Sequence, residues 1–402
     1  MNSVPSQCEV LVIGAGPAGS AAARQLARAG RDVLLVDQHA PGRDKVCGDG
    51  LIPDAHAALA RLGVLDAVLA RAQRVEHVGC VGPRGGRIDV PGTLAVLPRR
   101  ELDAMLVEAA QAAGAKLLAP ARFEAPLLDG ERVVGARLRV GETTHEVQAQ
   151  WLLLATGAVP QALMAAGLCE RHTPSAVALR GYVHAPSMVG RIKAMEVVMT
   201  RAVRPGYGWI FPAPDAHFNI GVGLIDSHSE QDGHGKKKAQ NLRALFDAFC
   251  ADYAPAAELL REGELVGELK GAPLRCTLDG ARWTRPGLMA IGEAAGSTYS
   301  FTGEGIGKAL ETALLAVDAL LAANDDAAVR ERYEAGLRAL KPKFQLYERA
   351  NRISSMPWLA DLLIWRARRS PRLRQRLTGV LNETSNPGNL VSLKGFSRLF
   401  LE

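Results

Sequence analysis

The sequence predicts an α/β protein with one discontinuous domain, an inserted β-rich domain and a helical C-terminal region. Three observations lead to this prediction. Apolar segments typical of buried strands occur at residues 10–13, 151–157 and 287–292, and each runs into glycine. Residues 178–225 alternate in polarity as half-buried strands do, and residues 303–381 are almost wholly helical in pattern. Core-type strands on both sides of an alternating stretch indicate that one domain is interrupted by another.

The predicted domains follow from the order of these patterns. The core-type segments are assigned to residues 1–75, 99–175 and 277–325, the inserted sheet to residues 76–98 and 176–276, and the helical region to residues 326–402.

The first core segment ends in the pattern Gly14-x-Gly16-x-x-Gly19, and an Ala-rich, helix-favouring segment follows. A strand–turn–helix context of this kind predicts a Rossmann-type dinucleotide site: the glycines allow a tight turn, close approach of a pyrophosphate and close helix packing. Asp37 follows the next apolar run, where an acid binds an unphosphorylated ribose, which favours FAD or NAD. The alternative is an ordinary tight turn between strand and helix.

Further elements are predicted in chain order. Helices are expected at residues 53–71, 99–113 and 240–253, strands at 116–118, 121–128 and 133–140 with a hairpin turn at 129–130, extended chain at 76–98 and 254–276, and a loop at 227–238.

Composition excludes several classes of protein. Of the 402 residues 48% are apolar and 22% charged, and the net charge of +6 suits anionic substrates or membrane headgroups but does not indicate a nucleic-acid partner. The six cysteines form no CxxC pair, which argues against zinc or disulfides and favours a cytoplasmic location. The apolar N-terminus lacks the basic start of a signal peptide, and no apolar run reaches the length of a membrane span.

Five segments together resemble the geranylgeranyl reductase branch of FAD-dependent enzymes, which share the p-hydroxybenzoate hydroxylase fold. The segments are Gly14–x–Gly16–x–x–Gly19 with Asp37, residues 45–50 (Lys-Val-Cys-Gly-Asp-Gly), residues 99–103 (Arg-x-x-Leu-Asp), residues 207–212 (Tyr-Gly-Trp-Ile-Phe-Pro), and residues 292–296 with 303–306 (Gly-Glu-Ala-Ala-Gly and Gly-Glu-Gly-Ile). The second and fourth are the narrow ones, because the others mark the wider flavoprotein superfamily.

The resemblance implies a set of FAD-binding residues. They are Gly14, Gly16, Pro17, Ala18, Gly19, Asp37, Gln38, Lys45, Cys47, Gly48, Gly50, Arg99, Gly157, Glu293, Gly296, Gly303, Gly305 and Ile306. Arg100 competes with Arg99 for the pyrophosphate, and Glu293 stands where the family has Asp. The family's proline before the last glycine cluster is replaced here by residues 300–302 (Ser-Phe-Thr).

The resemblance also implies the residues at the reacting centre. Cys47 would lie beside the flavin ring and supply a proton, orient substrate or tune the flavin; the alternative is a small buried cysteine that fills space. Tyr207, Trp209 and Phe211 share one face of a strand by their period of two and would wall an apolar pocket, the alternative being plain core packing.

The function implied is that of an FAD-dependent oxidoreductase that reduces carbon–carbon double bonds of a prenyl or other apolar, lipid-like substrate. FAD would be reduced by NAD(P)H or by a reduced electron-carrier protein, and the choice between them stays open because the sequence shows no second dinucleotide fingerprint. The first alternative is a monooxygenase or halogenase of the same fold acting on an aromatic or carrier-bound substrate. The second is a flavin-binding electron carrier without its own substrate, which a closed, polar pocket over the flavin would favour.

The C-terminal helices add one further hypothesis. Residues 358–365 are apolar with a tryptophan at each end, and arginines follow at positions 366, 368, 369, 372, 374 and 376. Tryptophan beside a basic cluster is typical of a helix on an anionic membrane. The alternative is a surface helix packed on the domain.

Overall fold

The computed structural model describes residues 4–225 and 240–387, so the loop predicted at residues 227–238 lies outside the described residues. The strands are β1 (Gln7–Ile13), β2 (Val33–Val36), β3 (Gly50–Leu51), β4 (Gln73–Val81), β5 (Arg87–Val96), β6 (Lys116–Leu118), β7 (Arg122–Asp129), β8 (Arg132–Val140), β9 (Thr143–Leu154), β10 (Ala176–His184), β11 (Met195–Val198), β12 (Gly206–Pro212), β13 (His217–Ile225), β14 (Glu264–Leu274), β15 (Thr284–Arg285) and β16 (Leu288–Ala290). The helices are α1 (Pro17–Arg28), α2 (Pro53–Leu62), α3 (Leu65–Arg71), α4 (Arg99–Ala112), α5 (Gln161–Ala165), α6 (Leu242–Asp252), α7 (Ala254–Glu262), α8 (Ile306–Ala322), α9 (Asp326–Ser355), α10 (Pro357–Ala367) and α11 (Pro371–Leu381).

The first sheet gathers the three core-type segments, in the order β15-β16-β9-β1-β2-β6, with the β7–β8 hairpin attached to β9. Strand β1 is parallel to both neighbours, and Val10 pairs with Val33 on one side and Trp151 on the other. Strand β16 is also parallel to β9. Because parallel strands end at the same edge of a sheet, the turns after β1, β9 and β16 meet in one place. The predicted return of residues 151–157 and 287–292 to this sheet is confirmed.

The second sheet has the order β14-β10-β13-β12-β11-β4-β5-β3. Strands β4 and β5 come from the first quarter of the chain, and β4 lies parallel to β11. Strand β3 pairs with β5 and ties the segment after Cys47 to this sheet. The mixed α/β class with two sheets is therefore confirmed, while the exact domain limits stay a prediction.

The C-terminal region is helical, as predicted, and it contributes to the core. Leu359, Leu363 and Ile364 of α10 are buried in the same apolar cluster as Leu26 of α1. The hydroxyl of Tyr333 in α9 donates to the carbonyl of Ala290 at 2.7 Å and fixes that helix to the first sheet. Within the described residues no helix combines the length and apolarity that a membrane crossing needs.

Two local predictions were wrong. Residues 53–71 form two helices because Gly63 takes the left-handed conformation (φ 72°) that ends α2. Residues 254–262 are helical rather than extended: a proline in the first turn of α7 is compatible with a helix start, and Ala256 and Leu259 are buried at helical spacing.

Candidate active site

The glycine turn after β1 has the geometry of a phosphate-binding loop. Gly14 has φ of 107°, and a side chain there would overlap the carbonyl of Ala155. A side chain at Gly19 would overlap the carbonyl of Gly14, so α1 packs on the turn only with glycine there. At Gly16, by contrast, an added methyl would lie 3.6 Å from the Arg99 Nη2 atom and meet nothing closer. The third glycine is thus fixed by packing, whereas the second leaves open space beside an arginine.

Asp37 follows β2 and faces this turn. Its Oδ2 accepts the backbone N–H of Ala15 at 2.8 Å, and its Oδ1 accepts that of His39 at 2.8 Å. These bonds hold the carboxylate at the edge of the glycine turn, where a ribose would lie beside a pyrophosphate bound at α1.

Arg99 is the first residue of α4, and it is buried, whereas Arg100 is exposed. Its Nε and Nη2 atoms donate to the two oxygens of Asp103 at 2.7 and 2.8 Å. Burial by itself would lower the pKa of Arg99, but the Asp103 carboxylate outweighs it and raises that pKa. The result is a permanently charged, rigid guanidinium next to Gly16, which suits a pyrophosphate.

The turns after β9 and β16 meet at Glu293. Its Oε2 lies 3.7 Å from the Lys45 Nζ atom, and its Oε1 accepts the Thr298 hydroxyl at 3.2 Å. Gly157 has φ of 75°, and a side chain there would lie 3.9 Å from Oε2 of Glu293. Glu293, which is longer than the family's aspartate, therefore reaches the segment at Lys45.

The segment before α8 closes the other side. Gly303 has φ of 70°, and a methyl there would lie 2.5 Å from the Tyr207 hydroxyl oxygen. That hydroxyl donates to the carbonyl of Thr302 at 2.8 Å, so Tyr207 holds this turn where the family has proline. The buried Glu304 carboxylate accepts the N–H of Gly307 at 2.6 Å, and burial followed by the charge of Asp54 raises its pKa.

Cys47 lies on the opposite side of the same space. Its Sγ accepts the backbone N–H of Asp49 at 3.3 Å. Burial, and then the charge of Asp49, raises the pKa of the Cys47 thiol. The group is therefore a protonated thiol at neutral pH rather than a thiolate.

The aromatic residues of β12 lie against the segment that carries Cys47. The ring centroids of Tyr207 and Trp209 are 6.3 Å apart, and those of Trp209 and Phe211 are 6.4 Å apart. A methyl at Gly48 would lie 3.1 Å from the Phe211 ring and 3.7 Å from Trp209 Nε1. The cysteine segment thus runs in contact with the aromatic residues, and glycine at position 48 makes that approach possible.

These groups surround one cavity of about 1430 Å³. Of the residues predicted at the site, all line it except Gly19 and Gly296. Gly19 serves the packing of α1, and Gly296 has φ of 86°, with the backbone of Asp279 against it. The arrangement fits FAD: a glycine turn and guanidinium for the pyrophosphate, an acid for the ribose, and an open space between Cys47 and the turn before α8 for the flavin.

Much of the cavity wall is aliphatic, and this part of the wall, here called the apolar arm, was not predicted from the sequence. Its residues come from β4, β5, β11 with the adjoining Met199, and the C-terminal helices: Val78, Ile88, Val90, Met195, Met199, Ile353, Ala360, Leu363, Ile364, Leu373, Leu377, Val380 and Leu381. Helices α10 and α11 thus form part of the wall of the cavity.

A polar group beneath the cysteine segment was also missed. Arg180 of β10 is 1% exposed and donates to the Lys45 carbonyl at 2.7 Å and to Asp44 at 2.6 Å. Asn219 of β13 donates to the Cys47 carbonyl at 2.8 Å. A buried asparagine inside an otherwise apolar strand is the one sequence signal that pointed to this group.

Comparisons with known proteins agree with this geometry. A family model described as "FAD binding domain" matches residues 7–241. The chain is 34% identical over 339 residues to the menaquinone reductase of Mycolicibacterium smegmatis, covering 78% of this chain and 76% of that protein. It is 31% identical over 300 residues to digeranylgeranylglycerophospholipid reductase 2 of Methanopyrus kandleri, covering 74% of this chain and 73% of that protein.

Solved structures share the fold. A geranylgeranyl bacteriochlorophyll reductase-like protein of Thermoplasma acidophilum superposes with a TM-score of 0.73 at 21% identity, covering 99% of this chain and 97% of that one. A flavin-dependent brominase superposes with a TM-score of 0.74 at 17% identity, covering 98% of both chains. At these identities the structural likeness concerns the fold alone.

Proposed function

Because the chain belongs to the geranylgeranyl reductase family of FAD-dependent oxidoreductases, we propose that it saturates carbon–carbon double bonds in the prenyl chain of a lipid. The observation that carries this proposal is the apolar arm, which shares one cavity with Cys47 and the aromatic residues and is walled by aliphatic side chains of β4, β5, β11 and the C-terminal helices. Two relatives are named menaquinone reductase and digeranylgeranylglycerophospholipid reductase 2.

The proposed FAD contacts follow the cavity. The pyrophosphate would lie between the glycine turn and Arg99, the adenosine ribose at Asp37, and the flavin between Cys47 and the turn at Gly303. When bound and reduced, FAD supplies a hydride equivalent to one alkene carbon. The N–H groups at the start of α8, at Gly305 and Ile306, line this space and would stabilise negative charge on a flavin bound there.

The chain's own residues then have three tasks. Tyr207, Trp209 and Phe211 exclude water and hold the alkene against the flavin position. The arm binds the rest of the prenyl chain, at roughly 0.8 kcal/mol for each buried CH₂. The Cys47 thiol, kept protonated by burial, gives its proton to the second alkene carbon, so that the double bond gains one hydride and one proton.

The cavity distinguishes this proposal from an electron carrier without a substrate, for which a closed polar pocket would be expected. Its aliphatic wall, the apolar arm, suits the chain of a lipid. The electron donor in this proposal is NAD(P)H or a reduced carrier protein, and stopped-flow mixing of the oxidised protein with NADPH separates the two. Flavin bleaching within the turnover time assigns NAD(P)H, and an unbleached flavin assigns a carrier protein.

We further propose peripheral contact of α10 and α11 with an anionic membrane. Trp358 and Trp365 are 55% and 48% exposed, and Arg369 lies over the Trp365 ring, 4.6 Å from its centroid. Removing these helices would open the cavity, so the test is charge reversal of the exposed Arg368 and Arg372. Co-sedimentation with phosphatidylglycerol vesicles should fall in that variant, and unchanged binding would contradict the contact.

The reaction itself is tested under anaerobic conditions. The FAD-loaded protein is reduced with dithionite and mixed with a menaquinone or a digeranylgeranyl lipid in detergent micelles. We expect the oxidised flavin spectrum to return and the product to gain two mass units per double bond, with the added hydrogens in the prenyl chain and not in a quinone ring. A flavin that stays reduced until oxygen is admitted, with oxygen then found in the product, would replace this proposal with the monooxygenase alternative.

A further inference from the structure

The face of the second sheet beneath the cysteine segment carries three polar side chains on two paired strands. Tyr182 and Asn219 are direct partners in the β10–β13 register, and Arg180 lies two residues from Tyr182 on the same face. Asn219 is fully buried, and Arg180 is almost so. Buried polar groups in a sheet are costly unless every bond is made, so their partners show what they do.

Asn219 uses both ends of its amide. Its Oδ1 accepts the indole Nε1–H of Trp209 at 2.8 Å. Its Nδ2 donates to the Cys47 carbonyl at 2.8 Å and to the Asp49 carboxylate at 2.7 Å. One side chain therefore joins the aromatic residue above the cavity to the segment that carries the cysteine.

The Trp209 indole uses its single N–H donor in the bond to Asn219, and its other contacts are packing contacts. It lies over β13, where a side chain at Gly221 would overlap it, and its Nε1 is 3.7 Å from where a methyl at Gly48 would be. These apolar contacts are not directional, whereas a hydrogen bond is. The bond to Asn219 therefore fixes the orientation of the indole.

Asp49 completes the link to the sulfur. It has φ of 64°, an unusual backbone conformation for a residue other than glycine. Its carboxylate accepts the Tyr182 hydroxyl and the Asn219 amide on Oδ2, and the Arg99 N–H on Oδ1 at 3.3 Å. Its own N–H donates to the Cys47 sulfur at 3.3 Å. The strained turn is thus held open by three donors, and its N–H orients the thiol.

We propose that Asn219 is a positioning residue that fixes the Trp209 indole and the Cys47 thiol relative to each other. The proposal rests on the proposed function, in which both groups face the substrate. Without Asn219 the two groups belong to different elements with no shared polar contact, and misplacement by about 1 Å can cost on the order of a hundredfold in rate.

The test uses Asn219→Leu, which keeps a similar volume but removes both the acceptor for Trp209 and the donor toward Cys47 and Asp49. Asn241→Leu is the matched control, because it removes the hydrogen bonds of an asparagine that caps α6 and does not line the cavity. In both variants the rate of flavin reoxidation by saturating prenyl substrate and the half-saturating concentration are measured anaerobically after FAD loading.

We expect Asn219→Leu to keep FAD and the half-saturating concentration while the reoxidation rate falls by about tenfold to a hundredfold. The control should match the wild type. A double variant with Trp209→Phe should be no slower than the slower single variant, since both changes break one linkage. A wild-type rate in Asn219→Leu, or additive losses in the double variant, would overturn the positioning role.

A second readout does not depend on the substrate. In FAD-loaded protein labelled with ¹⁵N-tryptophan, the Trp209 indole resonance is assigned by its loss in Trp209→Phe. It should shift in Asn219→Leu, which removes the acceptor of the indole N–H, while those of the other four tryptophans stay. An unshifted resonance refutes the proposal. If the resonance shifts in the variant but no prenyl lipid reoxidises the flavin of the wild-type protein, the linkage is supported and only the proposed function is refuted.

Discussion

Gly16→Ala distinguishes a phosphate-binding turn from an ordinary one. The added methyl would lie 3.6 Å from Arg99 Nη2, an ordinary contact, and the backbone at Gly16 (φ −76°, ψ −171°) is open to alanine. The free energy of unfolding of the FAD-free protein should therefore change by less than about 1 kcal/mol. The methyl points into the space where the pyrophosphate would lie, and moving a bound phosphate by about 1 Å should weaken FAD binding roughly a hundredfold, about 2.7 kcal/mol.

The assay is a titration of the FAD-free protein followed by quenching of flavin fluorescence, with thermal unfolding measured with and without FAD. Gly19→Ala is the matched contrast in the same turn, because its methyl would overlap the Gly14 carbonyl and should destabilise the FAD-free protein as well. If Gly16→Ala bound FAD as tightly as the wild type, the turn would not hold the pyrophosphate.

Three further predictions concern the reacting centre. Cys47→Ala should keep FAD but lower the anaerobic reoxidation rate by about a hundredfold or more, as loss of a general acid does, whereas Cys250→Ala in α6 should be neutral. Burial raises the pKa of Asp49 to about 6, while the bond from Tyr182 lowers it. Protonation of Asp49 removes an acceptor that the Tyr182 hydroxyl and the Asn219 amide face, so the rate should fall as pH drops through about 6. Tyr182→Phe should move the midpoint of this fall to higher pH, and an unmoved midpoint would exclude Asp49 as the titrating group. Ala360→Phe fills the apolar arm and displaces about five buried carbons of the substrate, at roughly 0.8 kcal/mol each. It should therefore raise the half-saturating concentration for long prenyl chains but not for a single isoprene unit. Equal effects on both substrates would place the chain elsewhere.

The sequence was informative where the structure depends on near neighbours along the chain. The turn at Gly14 is specified by its own strand, glycines and helix, and Asp37 reaches it through a single βαβ unit. The face shared by Tyr207, Trp209 and Phe211 follows from the period of a strand. Each of these could be predicted because the geometry is set within a few dozen residues.

The parts that escaped prediction depend on distant contacts. Asn219 bonds a carbonyl 172 residues away, and nothing in its own strand indicates that partner. Ala360 and Leu381 line the cavity only because α10 and α11 pack against β5. The helix at Ala254–Glu262 was missed, although Pro255 lies in its first turn, where a proline does not oppose a helix.

The most direct measurement is the anaerobic single turnover of the dithionite-reduced, FAD-loaded protein with a menaquinone, followed at once by flavin absorbance and product mass. The account predicts return of the oxidised flavin without oxygen and a product two mass units heavier, with the added hydrogens in the prenyl chain. A flavin that remains reduced with every prenyl lipid, in a protein that binds FAD normally, would contradict it.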